Sequence, residues 1–390
     1  MRLKTLRAPL LAAVLLGLLP VQAPAAEPFE IDAILPLTGY GAFVGKGETT
    51  ALGVVEDLVN RTGGIQGRPI KIVVLDDQSN ASVAVQLTTA QVAKRAPVIF
   101  GSTLSGNCNA MMPLLKDGPV AYCFSPSIHP PKDSFMFSAG ATTADHMVVI
   151  ARFFQAHGWH KVAVLTPNDA AGQDADRAFV SALDLPENKS LSLVSHQYFN
   201  GSDVSIAAQL SSIKASGAEV LFTWATGTPQ ATILRGMNDA GLTIPIISSP
   251  GNLTYAQMQQ YASFLPPEMY FPGNPSFAYD RLPAGPVKRA VADYLAAFKR
   301  AGIQPDMAHL FAWNSAMIVI DALRKYGTGA TAEQIRSYIA AYRGAGASGP
   351  EDFRATPQRG IGVNSIMMLS WDASKGTWVG ISSSDGKLLK

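Results

Sequence analysis

Cysteine is scarce: 390 residues hold only Cys108 and Cys123, with no HExxH and no Cys/His cluster beside them. That excludes a zinc module and a cysteine-rich scaffold. Charge is sparse as well, since Asp, Glu, Lys and Arg make up 15% of the chain and no run of Lys or Arg follows residue 25. A nucleic-acid or anionic-membrane surface therefore has no support in the charge pattern. No later stretch is apolar for the ~20 residues a membrane helix needs, so no stable membrane insertion is expected. Catalytic signatures are missing too. No GxSxG occurs, and Ser105 stands in Thr-Leu-Ser-Gly-Asn without a glycine two places before it, which disfavours a serine hydrolase. The glycine-rich stretch Pro36–Gly47 (PLTGYGAFVGKG) fails both nucleotide patterns. Five residues separate Gly39 from Gly45, Gly47 takes the place of the Ser or Thr after Lys46, and the dinucleotide spacing misses by one. No cofactor and no enzymatic activity are expected.

What is present begins with an export signal. Arg2, Lys4 and Arg7 precede the apolar run Leu10 to Leu19, and Ala23-Pro-Ala25 offers small residues for cleavage. Removing residues 1–25 takes away three positive charges and no acidic ones, so the formal charge falls from +2 to −1. No cysteine follows the signal to carry a lipid, which favours the periplasm of a diderm bacterium. In an oxidising compartment Cys108 and Cys123 are a disulfide candidate, with two buried thiols as the alternative. The roughly 365 residues that remain exceed what one core accommodates, so two lobes are expected.

Strand and helix patterns alternate strictly. The apolar spacing predicts strands over 29–35, 70–75, 98–100 and 120–124, and helices over 49–62, 82–93, 107–115 and 143–157. A second run continues with strands at 161–166, 194–198, 220–224 and 244–248, and helices at 172–183, 204–216 and 229–240. Such alternation is the mark of parallel sheets. Pro and Gly cluster between Leu265 and Pro286 and are expected to interrupt regular structure there. Helices over 286–301 and 308–326 return to the first lobe, and after a flexible stretch, 343–349, strands at 365–370 and 377–381 close the second sheet. The fold expected is α/β, two doubly wound parallel-sheet lobes joined by three crossing segments. Residues 26–140 and 273–345 form lobe 1; residues 141–272 and 346–390 form lobe 2.

Two side-chain groups invite a metal reading and have plainer ones. His157 and His160 flank the glycine that ends a helix, where imidazole complements the helix C-terminus. Asp76-Asp77 follows a strand, where such a pair caps the next loop. Binding without reaction remains. In α/β lobes the ligand sits where loops leave the carboxyl ends of strands, here 37–45, 101–107, 125–130, 167–172, 224–229 and 248–252, all rich in small or hydroxylated residues.

From Phe29 to Ile381 the chain resembles the type I periplasmic solute-binding proteins of ABC transporters, in their branched-chain amino-acid (Leu/Ile/Val) branch. The likeness rests on Ile34-Leu-Pro-Leu-Thr-Gly39, Asn60-Arg-Thr-Gly-Gly-Ile-Gln-Gly67 with 70–77, Gly158-Trp-His-Lys-Val-Ala-Val164, and 101–107 followed by Ser125-Pro-Ser127. It implies that the opening glycine loop lines the cleft mouth, giving backbone room beside a ligand. Ser105, with Gly106, corresponds to the serine that bonds the ligand carboxylate; capping its helix is the plainer role. Ser127, Ile128 and His129 fall on the second binding loop of lobe 1. His129 replaces a customary Thr and either adds a donor or is an ordinary loop residue. Lobe 2 departs from an amino-acid binder. Ala171 stands in place of a Tyr, and Pro250 in place of the acid that meets the ligand ammonium, with Asp169 nearby as a substitute. Trp224 and Phe43 offer flat walls to a ligand or simply pack the lobes. The function implied is capture of a small carboxylate, aromatic or otherwise apolar, by a monomer that closes its lobes and presents the ligand to an ABC permease. A branched-chain amino acid or amide is the alternative ligand, and an exported sensor the alternative use.

Overall fold

The computed structural model describes residues 27–389, and the expected export signal lies outside them. Five parallel strands form the first sheet: β1 (Phe29–Leu35), β2 (Ile70–Asp76), β3 (Val98–Gly101), β4 (Val120–Cys123) and β5 (Met136–Ser138), in the order β2-β1-β3-β4-β5. Between them run α1 (Ala42–Arg61), α2 (Ala81–Ala93) and α3 (Ser105–Met111). After α4 (Thr143–His157) the second sheet begins with β6 (Lys161–Pro167), β7 (Ser192–Phe199), β8 (Val220–Thr223), β9 (Ile246–Ile247) and β10 (Met269–Gly273). Its connecting helices are α5 (Ala170–Leu183), α6 (Ala207–Ala215), α7 (Thr228–Asp239) and α8 (Tyr255–Gln260). The chain then adds α9 (Pro286–Arg300), α10 (Met307–Tyr326) and α11 (Ala332–Ala341) to the first lobe, the hairpin β11 (Arg343–Gly346) and β12 (Gly349–Asp352), and finally β13 (Met367–Asp372) and β14 (Thr377–Ser382).

The second sheet runs β14-β13-β10-β9-β8-β6-β7, so its five parallel strands repeat the winding of the first. In each lobe the first strand lies between the second and the third. Helices on either side of that strand leave in opposite directions, and a crevice opens at the carboxyl ends. In lobe 1 it falls between β1 and β3, in lobe 2 between β6 and β8. Three segments cross between the lobes: β5 to α4, β10 to α9, and β12 to β13. The third lies along the first, for Ser138 N donates to Gln358 O at 2.8 Å and Gln358 Nε2 donates to Met136 O at 2.7 Å.

The helix ends follow from the sequence. Asn80 accepts from Ser82 N at 2.8 Å to start α2, Thr142 and Asp145 cap α4 reciprocally, and Gly158 ends α4 with φ +70°. Ala51, Leu52, Val55 and Val59 bury one face of α1, which packs on α10. The cysteines are joined, with Cα atoms 6.2 Å apart and a sequence separation of 15. A loop of that size is worth ~3 kcal/mol. Replacing both cysteines by alanine is therefore expected to lower the unfolding free energy by ~2–4 kcal/mol, read from the urea midpoint at unchanged slope.

Three expectations need correction. First, α1 starts at Ala42, not Thr49, so Gly45 and Gly47 are helical. A Cβ on Gly45 would stand 2.1 Å from Pro36 O, and one on Gly47 2.8 Å from Ala308 Cβ. These glycines let the helix approach its own strand and α10; they do not make room for a ligand. Second, the Pro/Gly-rich region contains β10, which pairs with both β9 and β13. Tyr270 O accepts from Ser248 N, so the backbone of Pro272, two residues on, turns to the same side, where β9 has already ended at Ile247. Its missing N–H thus removes no ladder bond. Third, the stretch expected to be flexible forms the β11–β12 hairpin.

Candidate functional site

The two crevices face each other across one cavity of about 90 Å³, and all six strand-end loops contribute to its wall. Lobe 1 supplies Tyr40 and Val44 after β1, Thr103 to Gly106 after β3, and Ser125 to Ser127 after β4. Lobe 2 supplies Asp169 to Ala171 after β6, Trp224 and Thr226 after β8, and Ser249 to Gly251 after β9. Phe124 and Phe311 complete the apolar side.

The polar groups are neutral and linked. Ser105 Oγ lies 2.6 Å from Ser125 Oγ, which accepts from Ser127 N at 3.2 Å. Ser105 does not cap its helix. It is the first residue of α3, Leu104 holds the cap position, and no side chain satisfies that helix start. Across the cavity, Thr226 Oγ1 lies 3.0 Å from Ser249 Oγ, and Asn252 fixes both loops by donating to Ala225 O at 2.7 Å and accepting from Gly227 N at 3.0 Å. Among the described residues lining the cavity there is no Lys or Arg, and the only carboxylate is Asp169. Asp169 caps α5, accepting from Gly172 N at 2.7 Å, and burial pushes its pKa up. Burial, and then Asp169 itself, push the Tyr40 phenol up to about 12.

Direct contacts hold the lobes together. Trp224 Nε1 donates to Ser127 Oγ at 3.2 Å, and Thr143 Oγ1 donates to the same oxygen at 3.1 Å. Trp224 packs edge-on against His146, which burial keeps neutral by lowering its pKa to about 4. Trp224 thus packs the lobe and faces the cavity at once. Gly227 comes so close to Tyr40 of the other lobe that a Cβ there would stand 2.2 Å from the Tyr40 carbonyl oxygen.

Of the residues singled out from the sequence, Ser105, Gly106, Ser127, Asp169, Ala171, Trp224 and Pro250 line the cavity. Ile128 and His129 do not. Ile128 is wholly buried beside Cys108 and Met111, because the loop turns it into the core of lobe 1. His129 points away and bonds Asp174 of α5 at 2.7 Å, a contact between lobes. Phe43 turns from the cleft to pack on Tyr261. Asp76 and Asp77 are engaged in loop bonds: Asp76 accepts from Leu37 N and Gln78 N, and Asp77 from Ser79 N and Ser102 Oγ.

Sequence reasoning missed Thr103 and Tyr40, although both lay within loops it had marked, and it missed Phe311, which reaches the cavity from α10 with no local signal. It also missed Arg359. This buried guanidinium in the third crossing segment donates to Pro126 O at 3.0 Å, Ser138 Oγ at 3.0 Å, Gly140 O at 3.1 Å and Ile128 O.

Two crevices of the same winding, closed on one cavity, define a two-lobed receptor for a small solute. The chain belongs to the periplasmic binding protein family, whose model matches residues 28–377. It is 25% identical over 335 residues to an amino acid binding protein of Pseudomonas aeruginosa, covering 81% of this chain and 78% of that one. Its fold is shared with an ABC transporter solute binding protein of Rhodopseudomonas palustris in complex with benzoate (TM-score 0.76, 18% identity, 92% and 96% of the two chains). It is shared also with a branched-chain amino acid transporter substrate binding protein of Streptococcus pneumoniae in complex with isoleucine (TM-score 0.73, 18% identity, 93% and 98%).

Proposed function

We propose that this protein is the exported solute-binding component of an ABC uptake transporter, and that it captures a small carboxylate with an aromatic or otherwise apolar body. The observation that carries this reading is the lining of the cavity. Hydroxyls of Thr103, Ser105, Ser125 and Ser127 stand beside the uncapped start of α3, with Phe124, Phe311 and Trp224 as apolar walls. A carboxylate is satisfied by such neutral donors. An ammonium needs an acceptor in addition, and burying it unpaired is expensive.

In this reading Ser105 and Gly106 receive the carboxylate, with Ser127 beside them. Asp169, Ala171, Trp224 and Pro250 close over the body of the ligand. Closure follows because only a ligand touching both lobes favours the closed state, and a permease reads that state. The protein acts in the periplasm as a monomer. The solved relative with benzoate supports an aromatic acid. A cavity of about 90 Å³ is smaller than the ~150 Å³ void that takes benzene, so a single-ring acid fits the closed lobes only as side chains of the cavity wall shift aside. Asp169 favours a second reading, a branched-chain amino acid or amide, since its buried carboxylate could accept from an ammonium.

A thermal-shift screen decides between them, because ligand at 100 times its Kd stabilises by ~2.7 kcal/mol. Benzoate or short branched aliphatic acids are expected to raise the transition, and leucine or valine to leave it unmoved; the reverse outcome establishes the amino-acid reading. Ser105→Ala removes one bond to a charged group, ~1.5–3 kcal/mol, so affinity should fall about 10- to 100-fold in calorimetry. Parent-like affinity would take the carboxylate away from Ser105.

A further inference from the structure

Glu48 lies on α1, one turn into the helix from the cavity wall, and is wholly buried. One carboxyl oxygen bonds Thr103 Oγ1 and the other has no partner. Thr103 is also part of the cavity wall. The titratable groups facing Glu48 offer no compensating charge. They are Asp77, the first residue after β2, and Asp306 at the start of α10, the latter bonded to His309 at 2.6 Å. Lys46, its neighbour on α1, is exposed. Burial disfavours a carboxylate here, the Thr103 bond opposes that shift in part, and the two further acids add to it, so that the Glu48 pKa is raised to about 8.

Hydrogen-bond bookkeeping gives this a consequence for the site. The Thr103 hydroxyl has one proton. Were Glu48 ionised, it could only accept, so Thr103 would spend that proton inward and show lone pairs to the cavity. With Glu48 protonated, the carboxyl donates to Thr103 Oγ1, and the hydroxyl proton turns outward. We propose that Glu48 is held as a neutral acid and acts through Thr103 as a positioning residue, turning the Thr103 hydroxyl into a donor for an anionic ligand oxygen. The inference rests on the carboxylate reading above and deepens it: anion binding at this wall requires that Glu48 keep its proton. Ionisation of Glu48 would both reverse the Thr103 dipole and place a like charge behind the ligand.

Two measurements test it. The first needs no ligand: infrared difference spectra of the parent against Glu48→Gln should show the band of a protonated carboxyl, lost as pH rises through about 8. The second is calorimetric affinity for benzoate and for isovalerate between pH 6 and 9.5, where both probes stay ionised. In the parent, affinity should be level below the Glu48 pKa and fall by up to about tenfold per pH unit above it. Glu48→Gln, whose amide donates permanently, should lack that fall, and any dependence due to other groups would survive in it. Thr103→Ser should keep the fall, and Thr103→Val should bind more weakly below the Glu48 pKa and keep only the smaller part of the fall that the like charge causes. An absent carboxyl band at pH 7, a level parent profile, or the same fall in Glu48→Gln overturns the relay alone. If neither acid binds at any pH, the carboxylate reading falls and the relay with it.

Discussion

Gly227→Ala is expected to bind a probe acid at least about 100-fold more weakly than the parent while both lobes remain folded. The residue ends the loop before α7, at the helix cap position, with φ +73° and ψ −135°, a conformation that glycine enters cheaply and other residues do not. Strain alone would cost on the order of 1–3 kcal/mol, paid in the open and closed states alike. The larger effect is specific to closure. A Cβ at this position meets Tyr40 O at 2.2 Å and the Tyr40 carbonyl carbon at 3.3 Å, and Tyr40 belongs to the other lobe. Normal contact distances lie above 3 Å, so the lobes must part by about 1 Å. That separation stretches the Trp224–Ser127 bond, now 3.2 Å, and the His129–Asp174 contact, now 2.7 Å. A ligand that binds by touching both lobes then loses one of them. Calorimetry with benzoate measures the loss, and urea unfolding checks that the lobes are intact. Gly53→Ala, on α1 with nothing within 4 Å of its added Cβ, is the matched control and should bind as the parent does. Tight binding by Gly227→Ala would mean that the closed arrangement is not the one that holds ligand.

The same close approach explains which parts of the molecule were legible in the chain. Strands β1, β3, β4, β6, β8 and β9 lie in short apolar runs bounded by turn residues, and parallel sheets fix where their loops must go, so the six loops around the cavity are legible in the chain alone. Glycine was the ambiguous letter. In PLTGYGAFVGKG it looked like a loop, yet Gly45 and Gly47 are helical because α1 must pass close to Pro36 and Ala308, and neither partner is visible locally. That misreading hid Glu48, which seemed to lie before the helix and is in fact buried within it. Proline misled in the same way at β10, where Pro272 is harmless only because β9 is two residues long. Side-chain direction was not legible either. Ser127, Ile128 and His129 are consecutive, and they face respectively the cavity, the core and the opposite lobe.

Arg359→Met is expected to destabilise the protein by ~3–5 kcal/mol and to weaken ligand binding as well. No sequence pattern marks this residue, because its partners lie more than 200 positions away. Its guanidinium joins the third crossing segment to the first through Ser138 and Gly140, and to the binding loop through Pro126 O and Ile128 O, the carbonyls on either side of Ser127. Burial lowers its pKa to about 10, with Asp174 and then Asp145 opposing the shift. A cation whose folded pKa is depressed in this way still carries its charge below about pH 9, so its contribution is constant across the neutral range. Methionine would fill much of the volume and leave several buried acceptors without donors, each costing ~1–3 kcal/mol. Lysine restores the charge but not the planar fork, so Arg359→Lys should recover only part of the loss. The effect on affinity follows from geometry, since Ser127 carries the bonds from Trp224 and Thr143 that join the lobes, and a loosened loop no longer presents that oxygen. Urea unfolding and calorimetry of both variants measure the two effects. A stability change under about 1 kcal/mol in Arg359→Met would show that water replaces the guanidinium at the crossing.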